Sequence, residues 1–240
     1  MTLPPMVILA VALGLMPGVS GVGADDALDV ELAVLSARLA LVRDLTADFT
    51  EQKFTALLKK PLTSRGRVAM KPPRMRWDTD APHPSTLTVD EKEVRILYPE
   101  RKIVEVYPLG EQLNVPAMSP MPRLEELREH FTLSRLPPAG LDPNTPPESH
   151  LAVRLTPRDR SLAEHVQRVD VWIDRATGLA SRVELGSPDG DRTVITFRNI
   201  TTNVGLVEED VTLKITPDIQ VVHPLGKGKR EGRSSRSGGP

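Results

Sequence analysis

The spacing of hydrophobic residues along this chain changes period near Thr46. Before it, Leu28, Leu32, Leu35, Leu39 and Val42 recur at intervals of four, three, four and three. That repeat lines one face of an α-helix and predicts a helix over residues 27–45. Asp25, Asp26 and Asp29 suit the positive N-terminal end of its dipole. After Thr46 the chain breaks into short β-like runs at 46–53, 66–70, 75–79, 85–90, 93–98 and 102–107. The breaks carry Pro72-Pro73, Pro82, Pro84, Glu91-Lys92 and Pro99. Connections this short predict an antiparallel meander, because parallel strands need a crossover of a dozen residues or more.

The meander then stops. Residues 115–122 read as a Pro/Met-rich loop, 123–130 as a short helix with Leu124 and Leu127 on one face, and 131–136 as a strand. Five prolines in 137–149 predict a loop. Strands resume at 151–156, 167–174, 179–185 and 193–200, with a last one at 212–216 before Pro217. Gly178 and Gly190 sit where hairpin turns need a positive φ. With no internal repeat and no linker, residues 25–224 read as one domain of α+β class.

The two ends differ from this body. Residues 6–16 (MVILAVALGLM) are apolar but too short to span a bilayer. Pro17 and Gly18 break the run, and small residues precede Asp25. This predicts a cleaved signal peptide over 1–24 and an exported protein. A buried apolar helix or an uncleaved anchor are the other readings, and the leading MTLPP has no Lys or Arg. At the far end, 225–240 is Gly/Ser-rich and basic, the composition of a disordered tail.

Charge and composition narrow the function. Five cations against Glu231 make the tail +4, so a chain of net −1 leaves −5 on residues 25–224. A mildly acidic body is a poor nucleic-acid surface, so no such partner is expected. The absence of cysteine excludes disulfides, thiolate metal sites and cysteine nucleophiles. Aromatics make up only 3%, so the core must be built from Leu, Val, Ile and Met.

Reaction machinery is not visible. His83, His130, His150, His165 and His223 are scattered, with no i,i+4 pair for a metal. There is no GxSxG elbow, P-loop or GxGxxG. Asp189-Gly190-Asp191 has part of a calcium-loop pattern without its closing Glu, and a hairpin turn accounts for it. Glu208-Glu209-Asp210 reads as a solvated turn or a helix start. The expectation is a binding protein with no catalytic residue, metal or cofactor.

The most particular stretch is 49–77, FTEQKFTALLKKPLTSRGRVAMKPPRMRW. In order it gives Phe49-x-x-Gln52, Leu58-x-x-Pro61-Leu62, Ser64-x-Gly66, a basic residue before Pro72, and Arg76-Trp77. An acidic and Thr-containing turn with Pro82 follows, then Asp90, the 93–98 strand, Pro99 and Lys102. This succession resembles the outer-membrane lipoprotein carrier protein (LolA) family and its wider relatives. The resemblance covers residues 28–108 by motif and 109–224 by topology.

The resemblance implies a strongly curved antiparallel sheet, an incomplete barrel whose concave face is covered by helices. It implies a periplasmic carrier that shuttles lipids or lipidated proteins to the outer membrane, with an inner-membrane donor complex and an outer-membrane acceptor as partners. A monomer is expected. A lipid- or lipoprotein-sensing regulatory module with the same fold is the alternative. Strand alternation offers Phe49, Val68, Met70, Met75, Trp77, Leu87 and Val89 as the ligand-binding lining, with either face open. The 28–42 and 123–130 helices would form the lid. In the family an arginine before the proline latches the lid; here Lys71 takes that place, and Arg74 or Arg76 could take its role. Lysine is a point charge without the planar fork that grips several carbonyls.

Overall fold

A computed structural model describes residues 24–108, 118–137, 139–141 and 145–224. Residues 1–23 and 225–240, assigned from sequence to a leader and a tail, lie outside the described residues. So does the start of the 115–122 loop.

Helix α1 (Ala24–Leu39) precedes six strands: β1 (Leu45–Phe54), β2 (Leu62–Lys71), β3 (Arg74–Thr79), β4 (Ser85–Val89), β5 (Glu93–Tyr98) and β6 (Ile103–Pro108). A one-turn helix α2 (Leu124–Leu127) and β7 (Phe131–Leu136) follow. Next come β8 (His150–Pro157), a short α3 (Arg160–Ala163), β9 (Arg168–Asp174), β10 (Ala180–Gly186), β11 (Arg192–Thr202) and β12 (Gln220–Val222). All twelve described strands join one sheet in the order β12-β6-β5-β4-β3-β2-β1-β11-β10-β9-β8-β7. The sheet does not close on itself, and the fold is an incomplete barrel of α+β class.

The N-terminal meander and the C-terminal meander are thus two runs of neighbours stitched together by β1 and β11. That seam carries a bulge: the register shifts between Thr46 and Asp48. An extra residue on one strand bends it and deepens its twist, which helps a sheet this wide to curl.

Alternation sorts the side chains cleanly. On the inner face stand Leu45, Ala47 and Phe49 of β1, Val68 and Met70 of β2, Val94 of β5, Val153 and Leu155 of β8, Val169 and Val171 of β9, and Val183 of β10. Leu28, Leu32 and Leu35 of α1 pack into the same cluster, so the helix face read from the sequence is the one that covers the sheet. Arg128 pairs with Asp29 at 2.6 Å and Arg135 with Glu31 at 2.6 Å, while Arg175 also reaches Glu31. These contacts fix the first half of α1 over the β7–β9 side. Against its second half lies Gly178, φ +79°, where a Cβ would sit 2.8 Å from the Leu35 carbonyl oxygen.

Several elements depart from the sequence reading, among them the helix expected over 123–130, which forms only the single turn Leu124–Leu127. Helix α1 stops at Leu39, not Leu45, although neither glycine nor proline intervenes. Asn203, far along the chain, supplies the stop: its side chain accepts the Arg43 amide at 2.8 Å and donates to the Leu41 carbonyl at 3.3 Å. Leu45 is thereby freed to pair with Met70 on the sheet. Residues 212–216 form no strand. The last strand is β12, and it pairs parallel to β6, the one parallel pairing among the described strands. A parallel return is possible because residues 203–219 run back across the sheet as the crossover.

That crossover is a strap on the outer face. Asp44, buried, accepts the Val204 amide at 2.6 Å and the Gly205 amide at 3.1 Å. Val211 is buried further on. Lys102 then donates to Asp218 at 2.9 Å, and the Gln220 amide bonds the Lys102 carbonyl, which starts β12.

Candidate functional site

The inner face of β1–β6 is apolar and only partly covered. Its registers place Leu45, Met70, Met75, Val89 and Val94 in one row, then Ala47, Val68, Trp77, Leu87 and Ile96 in the next. Phe49, Val68, Met70, Met75, Trp77, Leu87 and Val89 therefore all share one face, the one turned to α1. Burial divides them. Val68, Phe49, Met75, Val89 and Met70 are at most 9% exposed, whereas Trp77 and Leu87, with Ile96 and Tyr107, are half-buried and pack on the cluster's edge. The first group builds the floor; the second leaves surface for something else to cover.

An aromatic knot sits at the centre of this trough. Phe49 and Trp77 are 4.4 Å apart by ring centroid, and Trp77 meets Phe197 edge-on at 5.8 Å. Between Phe49 and Thr79 in the register lies Gly66. A Cβ there would collide with the Asp78 carbonyl and the Phe49 ring. Glycine at this position lets β3 and the phenyl ring close over β2.

Polar groups take over towards the β1–β2 end. Glu51 follows Phe49 on the inner face, opposite Ser64 and Ile195. Burial raises its carboxyl above the ordinary value, partly opposed by the charge of Lys53. Away from that end, in the row of Val94 on the same face, Tyr107 donates to Glu105 at 2.9 Å, and that bond, with burial, raises the phenol.

At the opposite end the trough meets a groove. A cavity of about 580 Å³ lies between the end of α1 and the β2–β3 turn, lined by Ser36, Leu39, Ala40, Val42, Arg43, Pro72, Met121 and Arg123. Small-molecule sites commonly enclose roughly 300–1,000 Å³ with apolar walls and a few polar groups, and this groove has both. Leu39 and Val42 belong to the helical stripe visible in the sequence. Arg43 and Arg123 carried no sequence signal, because only the fold brings residues 43, 72 and 123 together.

The three basic residues Lys71, Arg74 and Arg76 point the other way. They alternate with Met70, Met75 and Trp77 and so face outwards. Lys71 donates to the Leu206 carbonyl at 2.8 Å, Arg74 pairs with Glu208, and Arg76 donates to the Thr212 carbonyl at 2.9 Å and to Asp78 at 2.7 Å. Among the described residues, these partners belong to the strap and to β3, not to α1 or α2.

The outer face of the second meander is equally polar. Arg154 grips Asp170 through two bonds of 2.7 and 2.8 Å, Arg168 bridges Asp170 to Glu184, and Arg182 and Arg192 complete the ladder on Glu184. Trp172 on that face is stacked under Arg182 and donates to the Ala139 carbonyl at 2.9 Å. Among the described residues no three His, Asp or Glu side chains are gathered as metal ligands.

Comparison with known proteins gives one family. The family model described as "Outer membrane lipoprotein carrier protein LolA" matches residues 40–209. No protein of curated function matches the sequence. Among solved structures, an uncharacterized conserved protein from Thermus thermophilus shares the fold, with a TM-score of 0.51 and 14% identity over 82% of this chain and 99% of that one. The MucA/MucB complex of Pseudomonas aeruginosa aligns with a TM-score of 0.47 and 17% identity, over 82% of this chain and 63% of the other. The Mycobacterium tuberculosis lipoprotein LppX aligns at 0.43 and 11%, over 76% and 98%.

Proposed function

Because the chain belongs to the outer membrane lipoprotein carrier protein LolA family, whose model spans residues 40–209, we propose that it is a non-catalytic, exported carrier of acyl chains. Its cargo is a lipid or a lipidated protein, received from the inner membrane and passed towards the outer one. The observation that carries this reading is the partly covered inner face, where Trp77, Leu87, Ile96 and Tyr107 stand half-buried beside a buried apolar floor. Each methylene taken from water is worth about 0.8 kcal/mol. An acylated molecule therefore needs such a trough to cross an aqueous compartment.

Phe49, Val68, Met70, Met75, Trp77, Leu87 and Val89 are the proposed lining, with the half-buried Trp77 and Leu87 making first contact. Met70, Met75 and Met121 suit a site that admits chains of different shape, since unbranched thioethers repack at low cost. Arg43 and Arg123 at the groove would favour a ligand with an anionic head. Lys71, Arg74 and Arg76 act on the strap, so in this chain the proposed latch is a clamp on the outer face.

Trp77 offers a direct test. A Trp172→Phe variant leaves Trp77 as the only tryptophan. Titration of the delipidated protein with a fatty acid should shift Trp77 emission and displace a fluorescent fatty-acid analogue. Mass spectrometry of an organic extract from the native protein should find an acylated molecule. A folded, delipidated protein that binds neither probe would refute the carrier reading.

A further inference from the structure

The connection from β1 to β2 ends in an exposed apolar tip. The Leu58 amide bonds the Thr55 carbonyl at 3.2 Å, a tight turn that holds Leu57 outermost. Leu57 is 93% exposed, and Leu58 and Leu62 are 45% and 57% exposed. Single exposed leucines are ordinary on protein surfaces; two side by side on one tip, with a third where β2 begins, are not.

The charge around the tip has one sign. Residues 53–62 contain Lys53, Lys59 and Lys60 and no acidic residue. Lys59 and Lys60 are exposed and have no ion-pair partner among the described residues. The base of the loop is anchored, since Arg192 stacks on the Phe54 ring at 4.1 Å. The adjoining cleft brings Asp189 and Asp191 together with Arg168 and Arg192, so those charges balance and the loop keeps its own positive field. All this lies on a body whose net charge is negative.

We propose that this loop docks the protein onto an anionic bilayer, with Leu57 and Leu58 entering the acyl region and Lys59 and Lys60 resting on lipid phosphates. An apolar tip alone would suit many partners. The flanking lysines select an anionic surface, since each lysine near such a surface adds attraction that salt screens. The location also fits the carrier reading, although docking does not depend on it. The loop rims the end of the sheet where Glu51, Thr79 and Ser85 close the inner face, opposite the groove of α1. A bilayer docked there would face one mouth of the trough.

The lack of cysteine permits a local test in the full chain. Leu57→Cys would carry a polarity-sensitive fluorophore, and Glu91→Cys, in the turn at the opposite end of the sheet, would carry the same probe as a control. Vesicles of phosphatidylglycerol and phosphatidylcholine in equal parts should shift the emission at 57 to the blue and leave position 91 unchanged. Pure phosphatidylcholine should do neither. Leu57→Ser with Leu58→Ser should weaken partitioning onto the anionic vesicles by at least about tenfold, and Lys59→Gln with Lys60→Gln by a similar factor that salt abolishes. The basic residues of 225–240 are the same in every variant, so these differences belong to the loop. A position-57 probe that stays in water on vesicles the protein does bind would overturn the proposal. So would unchanged partitioning of the double-serine variant, or equal binding to neutral vesicles. None of these results bears on fatty-acid binding by the trough, so the two readings fail separately.

Discussion

The Phe49 ring lies 4.4 Å from Trp77, tilted by 47°, and it reaches there across Gly66. Two aromatic residues twenty-eight positions apart in sequence are brought together because the strand between them lacks a side chain at the crossing.

Gly66→Ala tests this contact. The added methyl meets the Asp78 backbone carbonyl as well as the Phe49 ring, and backbone cannot step aside as a flexible side chain can. Urea unfolding should show a loss of about 3 kcal/mol. Adding Phe49→Leu should not restore stability, because the carbonyl clash persists.

Ala40→Trp should plug the groove. Ala40 is exposed and lines the cavity at the end of α1, so stability should change by no more than about 0.5 kcal/mol. Affinity for the fluorescent fatty-acid analogue should fall by about tenfold or more, a loss of about 1.4 kcal/mol. Tight binding by the plugged variant would locate the ligand elsewhere on the inner face.

Asp44→Ala should release the strap. It strips two backbone amides of a buried, charged acceptor, at a cost of about 2–3 kcal/mol. Lys71→Met removes one bond to the Leu206 carbonyl and should cost about 1 kcal/mol. Limited proteolysis should cut the 203–219 segment faster in both variants, most of all in Asp44→Ala.

Two groups set opposite pH responses. Burial holds the His150 imidazole below its ordinary pKa, despite Asp174 nearby. The unfolded chain then binds that proton more readily, so stability is full above about pH 6.5 and declines as acid titrates the unfolded imidazole. Tm measured through this range should fall on acidification, and His150→Gln should flatten the slope. Glu51 is raised by desolvation. Its contribution is fully present below its unfolded value and is lost as pH rises through the folded one, so at neutral pH the charged carboxylate is a cost. Glu51→Gln should raise Tm by a few degrees at pH 7 and leave it unchanged in acid.

Local pattern was enough for much of the architecture. The Leu28–Leu35 stripe, the shared face of Val68 with Met70 and of Met75 with Trp77, and the turns at Gly178 and Gly190 follow from periods and backbone needs that a short window contains. The helix end, the groove and the strap were not readable that way. Asn203 stops α1, Asp44 holds residues 204 and 205, and Arg43, Pro72 and Arg123 meet at one cavity. Each depends on residues separated by dozens of positions, and no composition or spacing announces it.

The succession from Phe49 through Gly66 and Trp77 to Lys102 was thus written in the sequence, and its resemblance to the family implied the curved sheet. Which face those residues share, and that Lys71, Arg74 and Arg76 turn away from it, was decided only in three dimensions. A strand's alternation states that neighbours point to opposite sides. It does not state which side α1 will cover, because that is fixed by burying Leu28, Leu32 and Leu35 against the apolar rows of the whole sheet.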